Sequence, residues 1–531
     1  MTQSQDPPEQ IPDQPNPFGL QAQIDELHMR RERAARLGGA DKLARRSDEG
    51  LLNAHQRIAL LVDPGSFSEL GSLSHSEMPG MAEKSWGDGL VIGIGSIDGR
   101  PVAVNAADKT VFAATEGQVH FRKALALHDY AVRRGMAIFN LGEGGGLRMP
   151  DGMGSDGISL SMMPVAWNRH DRAVPILSAI LGDSFGGPTW LAMVSDFVVQ
   201  AKGTCMAVAG PRMLEIATGE KIGAEELGGW KIHAETTGQA DASADTEQDA
   251  ILQLRRCFSY LPSHAGEAPP VKPCGDDPLR RLDELVDIVP TQRNRGYDML
   301  RVIRLIVDDG EFFELKPLFG RALITCLARL GGRVVGIIAS QPMRNAGAGG
   351  PDECDKAIDF TCLCDSFHIP LVYLHDTPGF AVGSRAEQKR MPTKIMVWNQ
   401  ANAHATVPRL SVVIRKSIGA AYGNMMGPQM GADAVVVWPS AEINFTGPEV
   451  GINVVYGRQL AESTDPAAER QRLLERWSFD SSPYKAAGRY LIDDVIDPRE
   501  TRSFLCRMLE QACRKNSGMG ERRLANWPTG F

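Results

Sequence analysis

The strongest constraint on this chain is that it contains itself twice. The stretch "AVPILSAILGDSFGG" begins at Ala173 and "TVPRLSVVIRKSIGA" begins at Thr406, a shift of 233 residues. The same shift carries Gly99-Arg100 of "IDGRPVAV" onto Gly332-Arg333 of "LGGRVVGI", and Lys123 onto Lys356. It also lays "GMAIFNLGEGGG" on "HIPLVYLHDTPG", so that Glu143 matches Asp376. Farther along the offset grows to 237, at Asp196 of "DFVV" against Asp433 of "DAVV" and at Gly210-Pro211 against Gly447-Pro448. A prelude, "LLVDPGSFSEL", is echoed by "LIVDDGEFFEL" at a shift of 245. Apolar runs like these are common one at a time; a register held over so long a stretch marks a duplication.

Each half alternates β-rich runs ending in Gly or Asp with helical stretches such as "KALALHDYAVRRG" and "DKAIDFTCLCDSF". That order predicts two similar α/β domains with helices packed around a sheet. The expected boundaries are 20–275 and 276–531, joined through the Pro-rich "SHAGEAPPVKPCGDDP". The opening segment, 1–19, is polar and reads as a disordered tail, with neither the basic n-region nor the apolar h-region of a secretory signal.

Composition removes several function classes. A net charge of −8 argues against nucleic acid or an anionic membrane as the main partner. No apolar run reaches the roughly 18 residues of a membrane span. The nine cysteines sit in apolar contexts such as "ITCLARL" and "FTCLCDSF" without paired C-x-x-C spacing, which predicts reduced thiols in the cytoplasm and no metal centre. His375 and His404 are isolated, and Met149, Met153, Met162 and Met163 are better gap-fillers than ligands.

The chemistry-bearing feature is "LGDSFGGPTWLAMVSDF", residues 181–197, where a buried run meets Gly186 and Gly187 and then a helical stretch. Consecutive amides at a helix start point N–H groups outward and can hold a developing oxyanion, one such donor being worth ~3 kcal/mol in a transition state. The alternative is that the glycines only permit tight helix-to-sheet packing. The matching spot in the second half, "IGAAYG" from Ile418 to Gly423, is also built of small residues.

At these residues the chain resembles the carboxyltransferase (β) subunits of biotin-dependent acyl-CoA carboxylases of the propionyl-CoA and methylcrotonyl-CoA type. The resemblance is carried by "RIALLVDPGSFSELG", "GDGLVIGIGSIDGRPVAV", "ATGEKIGAEELGG", "VIRLIVDDGEFFEL", "DTPGFAVG", "ATVPRLSVVIRKSIGAAYG" and "WPSAEINFTGPE". It implies two tandem crotonase-like domains in a hexamer, a trimer of dimers, with the active site between the first domain of one subunit and the second domain of another. It implies transfer of CO2 from carboxybiotin, carried on a separate biotin carrier or biotin carboxylase subunit, to an acyl-CoA. The oxyanion donors it implies are Gly186 and Gly187 in one pocket and Gly419, Ala420 and Ala421 in the other. Substrate-binding positions fall on Gly145, Gly146, Arg148, Gly379, Phe380, Tyr422 and Gly423. No biotinylation site of the M-K-M type and no P-loop is present, so biotin and ATP chemistry belong to other chains.

The sequence also departs from the family pattern. "EGGGLR" (Glu143–Arg148) stands for D-S-G-G-A-R, "ATEG" (Ala114–Gly117) for G-S-x-G, and "KRMPTKIMV" (389–397) for the G-G-I-x-R-x-G-A-K stretch on the biotin side. Gly423 replaces a common Asp and is expected to leave room for an acyl group larger than acetyl. Biotin-dependent decarboxylation of an acyl-CoA and a non-catalytic scaffold role stand as the alternative readings.

Overall fold

The computed structural model describes residues 19–155, 157, 171–513 and 519–527. The tail expected at 1–19 therefore lies almost wholly outside the described residues, as do Met162 and Met163.

Two eight-stranded sheets repeat one topology. The first is built from β1 (Ser68–Leu70), β2 (Leu90–Ile97), β3 (Arg100–Ala107), β4 (Ala137–Gly144), β5 (Ile176–Phe185), β6 (Phe197–Ala201), β7 (Met206–Ala207) and β8 (Ala242–Ala244). Its order is β1-β2-β3-β4-β5-β6-β8, with β7 paired to the far end of β5. The second comprises β9 (Phe312–Leu315), β10 (Leu323–Leu330), β11 (Arg333–Ser340), β12 (Leu371–Thr377), β13 (Arg409–Ile418), β14 (Ala434–Val437), β15 (Glu442–Asn444) and β16 (Asp494–Val495). It runs β9-β10-β11-β12-β13-β14-β16, with β15 paired to β13. In each, an antiparallel hairpin leads into a parallel sheet, the two-domain crotonase-like architecture anticipated from the repeat. The central strands read as continuous apolar runs because helices cover both faces.

Matched side chains make matched contacts. Asp63 accepts from the backbone N–H of Asp98 and Gly99, and Asp308 accepts from Gly331 and Gly332, so each β2–β3-type turn is clipped by one carboxylate. Lys123 donates to Gly87 O and Leu90 O, and Lys356 to Phe319 O and Leu323 O; burial pushes both ammonium groups down to about 8. Glu143 and Asp376 occupy the same irregularity, a register shift where β4 meets β5 and where β12 meets β13. Two extra residues on β5 and on β13 break the pairing there, and each acid lies in the interior: Asp376 against Arg415 at 2.9 Å, Glu143 against Arg57 at 2.7 Å, Arg46 at 3.0 Å and Lys109 at 3.3 Å.

The halves share a core. Phe197 of β6 packs on Phe313 of β9 with ring centroids 5.4 Å apart, and Lys316 bridges Asp241 at 2.9 Å and Asp359 at 3.1 Å. Of the nine cysteines six are buried and all are free. Among the described residues no helix is long and apolar enough to cross a membrane.

The Glu143 cluster yields a stability test. Burial alone would raise this carboxyl, but Arg57 and Arg46, with Lys109, hold it below its ordinary value. Its stabilisation is therefore complete above the ordinary value of 4.5 and is lost as pH falls through the lower folded value. Glu143→Ala would leave the fully buried guanidinium of Arg57 with Glu247, at 2.8 Å, as its remaining carboxylate and Arg46 with the Leu52 carbonyl. The expected destabilisation is about 1–3 kcal/mol, read as a lowered melting temperature at pH 7 whose gap to wild type narrows toward pH 3.

Candidate active site

Two corners, one per half, gather most of the residues singled out from the sequence. At the end of β5 the chain turns through Gly186 at φ +64°, and at the end of β13 through Gly419 at φ +65°. Only glycine adopts this region without strain. Each turn is fixed by the short accessory strand: Gly186 N–H donates to Ala207 O at 3.3 Å, and Gly419 N–H to Asn444 O at 3.1 Å. The first amide of each pair is thus committed to the sheet. The next ones, Gly187 in the first half and Ala420 and Ala421 in the second, begin helices and have no acceptor among the described residues. These N–H groups are the orphan donors of a helix start, and a positive helix end favours negative charge beside them.

A glycine loop faces each turn. A Cβ on Gly186 would stand 3.6 Å from the Cα of Gly146, and one on Gly419 would stand 3.8 Å from the Cα of Gly379, so the residues predicted on the acyl-CoA side do converge on the corners. Gly145 N–H donates to Ala113 O at 3.3 Å. Phe380 bridges in parallel to Gly349, as Leu147 does to Glu116, and packs edge-on against Trp398. Arg148 is 4% exposed. Its guanidinium pairs with Asp88 at 2.8 Å and Asp151 at 3.0 Å and donates to Thr115 O at 2.7 Å. It holds the loop around 112–117, where Phe112, Ala113 and Ala114 are all left-handed without a glycine among them.

Tyr422 and Gly423 lie in the short helix Ala421–Asn424. The room expected at Gly423 is taken: a Cβ there would come 3.0 Å from the terminal methyl of Met430. The four residues by which the offset grows from 233 to 237 fall between this helix and β14, in the loop that carries Met430. The altered segment 389–397 spans the start of the helix Met391–His404, tied down by Lys389 to Asp352 and Lys394 to Asp355. His375 is fully buried against Ser411 Oγ at 3.0 Å and burial pushes it down to about 4, a neutral core histidine. His404 packs against the Trp527 ring. Met149 and Met153 are exposed. No group of three or more potential metal-ligating side chains forms among the described residues.

One residue in this site was passed over in the sequence. Glu116 lies against Gly187, so that a Cβ at 187 would fall 2.0 Å and 2.1 Å from its carboxyl oxygens. The second half holds Gly349 at the equivalent place and tolerates Ala420 opposite it. The clue was there to be read: an acid in an otherwise small-residue stretch, faced by a glycine where its repeat partner has alanine.

Twin corners with unpaired helix-start amides thus close the ends of tandem crotonase-like sheets, an arrangement of the carboxyl-transferase class. Residues 45–525 match the family model for the carboxyl transferase domain, and the chain belongs to that family. It is 36% identical over 520 residues to the propionyl-CoA carboxylase carboxyltransferase subunit of Haloferax mediterranei, covering 96% of this chain and 99% of that one. It is 34% identical over 490 residues to the methylmalonyl-CoA decarboxylase subunit alpha of Propionigenium modestum, covering 90% and 93%. Among solved structures it superposes on the transcarboxylase 12S subunit with a TM-score of 0.87 at 32% identity, covering 94% and 96% of the two chains. That protein assembles as a hexamer and was captured with methylmalonyl-CoA and methylmalonic acid bound.

The Glu116–Gly187 contact makes a double-mutant prediction. Gly187→Ala is expected to cost about 1–3 kcal/mol by overpacking. Glu116→Gly in the same chain, which copies the second half, should return most of it; thermal melts of the two single variants and the double variant measure the coupling.

Proposed function

We propose that this chain is the carboxyltransferase subunit of a biotin-dependent acyl-CoA carboxylase. It moves a carboxyl group from carboxybiotin, carried by a separate protein, to the α (or vinylogous) carbon of an acyl-CoA. The observation that carries this reading is the pair of equivalent corners whose helix-start amides, at Gly187 and at Ala420 and Ala421, find no acceptor among the described residues.

Carboxybiotin, when bound, supplies the CO2 and a ureido nitrogen basic enough to take the substrate's α-proton. What the chain must add is a place for two oxygens that gain negative charge, one on the thioester and one on the ureido group, and orphan amides suit both. In this reading Gly187 serves one oxygen and Ala420 with Ala421 the other. Gly186 and Gly419 set the turns that aim these donors. Gly145, Gly146, Gly379 and Phe380 shape the approaches, Arg148 fixes the first loop, and Tyr422 and Gly423 floor the second corner. Because the donors are main-chain groups, an alanine at 420 serves as well as a glycine.

We further propose that the halves divide near residue 275, that the protein works in the cytoplasm, and that it assembles as a hexamer. The support for assembly is an exposed apolar face at each corner. Val208, Met213 and Ile216 follow β7, and Phe445, Val450 and Val454 follow β15. Val208 matches Phe445 and Met213 matches Val450 at the shift of 237. Pairing the first half of one copy with the second half of another would cover both. A second reading, decarboxylation of an acyl-CoA, draws on the Propionigenium modestum relative; assays with and without ATP and bicarbonate separate the two.

The test removes one donor. Ala420 has φ −60°, a value proline adopts, so Ala420→Pro deletes the N–H with little change of backbone. The expected loss is about 10²–10³ in kcat for transfer to propionyl-CoA, with an unchanged melting temperature. Wild-type turnover in that variant would sink the donor assignment. Co-purification of a biotinylated protein from the native host, identified by mass spectrometry, is the expected partner result; failure to bind any acyl-CoA by calorimetry would favour a scaffold role.

A further inference from the structure

The first corner carries a carboxyl group that its counterpart lacks. Glu116 sits between the left-handed turn at 112–114 and the helix Gln118–Arg134, and is 4% exposed. Its backbone is clamped to the glycine loop, Glu116 N–H donating to Gly146 O at 2.9 Å and Arg148 N–H to Glu116 O at 2.8 Å. Its carboxyl oxygens rest on the Cα of Gly187, the residue whose N–H has no acceptor among the described residues.

The surroundings leave this carboxyl without a counter-charge among the described residues. On the helix that follows it, His120 is pushed down to about 3 by burial, and Lys123 is spent on Gly87 O and Leu90 O. From β4, Glu143 is held by Arg57, Arg46 and Lys109. From the loop, Arg148 is engaged by Asp88 and Asp151. The helix Gly187–Met193 presents no titratable side chain. Burial therefore acts unopposed and pushes the Glu116 carboxyl up to about 8, which keeps it protonated at pH 7.

Beneath it lies a cavity of about 30 Å³, lined by Glu116, His120, Asn105, Asn140 and Ser178 among others. A ladder of side chains crosses the sheet there: Asn105 Nδ2 donates to Asn140 Oδ1 at 3.3 Å, Asn140 Nδ2 to Ser178 Oγ at 3.1 Å, and Ser178 Oγ meets Ser195 Oγ at 2.6 Å. Asn105 Oδ1 is buried without a hydrogen-bond partner among the described residues. The positions equivalent to the two asparagines in the second half are Ile338 and Tyr373. The asparagine ladder thus belongs to the first corner, the second carrying Tyr373 on Asn402 and His375 on Ser411 instead, and an acid placed on the ladder has been given surroundings that accept an un-ionised polar group.

We propose that Glu116 is a further catalytic residue of the first corner, its carboxylic O–H donating to the same oxygen that the Gly187 N–H binds. The inference rests on the carboxyltransferase reading above and deepens it: one corner would use main-chain donors alone, the other a main-chain and a side-chain donor together. The proton stays on Glu116 throughout, and only a hydrogen bond is made as charge develops. The oxygen is a carbonyl becoming anionic, of a thioester or of a ureido group. Loss of the proton would turn the donor into a repelling charge.

Glu116→Gln keeps a neutral donor of nearly the same shape, and Glu116→Leu removes it. Both are assayed in the complex with the biotinylated carrier, with propionyl-CoA as the acyl probe. The expected result is a wild-type kcat that descends above about pH 8. E116Q should lose only severalfold and lack that descent, whereas E116L should lose about 10²-fold in kcat with a far smaller change in KM. Calorimetry of E116L with methylmalonyl-CoA and, separately, with biotin identifies which oxygen is held, since the small loss of affinity that accompanies the change in KM should fall on that ligand alone. E116L turning over like wild type with the same pH profile overturns the proposal. So does E116Q falling as far as E116L, the mark of a carboxyl needed only for packing. If the folded wild-type complex transfers no carboxyl group at all, the carboxyltransferase reading itself is what fails.

Discussion

Everything in the site depends on how β5 and β13 end. A glycine in the left-handed region reverses the chain and hands its own N–H to an accessory strand of two or three residues. Because that first amide is satisfied, the turn is held; because the next residue starts a helix, the following amide has no acceptor among the described residues. The sheet therefore manufactures one aimed donor as a by-product of terminating a strand. Duplication makes a second without further invention.

The equivalence of the two halves extends to side chains that do no chemistry. The Asp63 and Asp308 clips, the Lys123 and Lys356 struts and the acids at the strand irregularities all survive at matched positions. They set the scaffold. Divergence is concentrated at the corners: a carboxyl over a polar floor in the first, small residues and an added loop carrying Met430 in the second. The frame has kept its resemblance where the corners have lost it.

Much of this was legible in the sequence because repeats report on backbone, and backbone makes the donors. The offset of 233 predicted matched strands and placed Gly186 on Gly419, and both proved to be the same turn. What stayed hidden was which amide of each pair is free, since that depends on β7 and β15, strands too short to show a period. Arg148 read as a substrate contact, yet each of its three guanidinium nitrogens already bonds within the fold, to partners such as Asp88, sixty residues upstream and next to it only in three dimensions. The room inferred from the missing side chain at Gly423 was filled by a residue of the insertion, which spacing alone could not place.

The turn at Phe112–Ala114 has a consequence of its own. Three successive left-handed residues without glycine store ~1–2 kcal/mol each. The second half relieves one of them with Gly347. Such a segment has no half-relaxed form, because releasing one residue shifts the aim of the other two and of the guanidinium that pins them. Fluctuations of the first corner are consequently all-or-nothing: amide hydrogens from 112 to 117 would exchange with solvent as a single unit, while the second corner breathes in smaller steps.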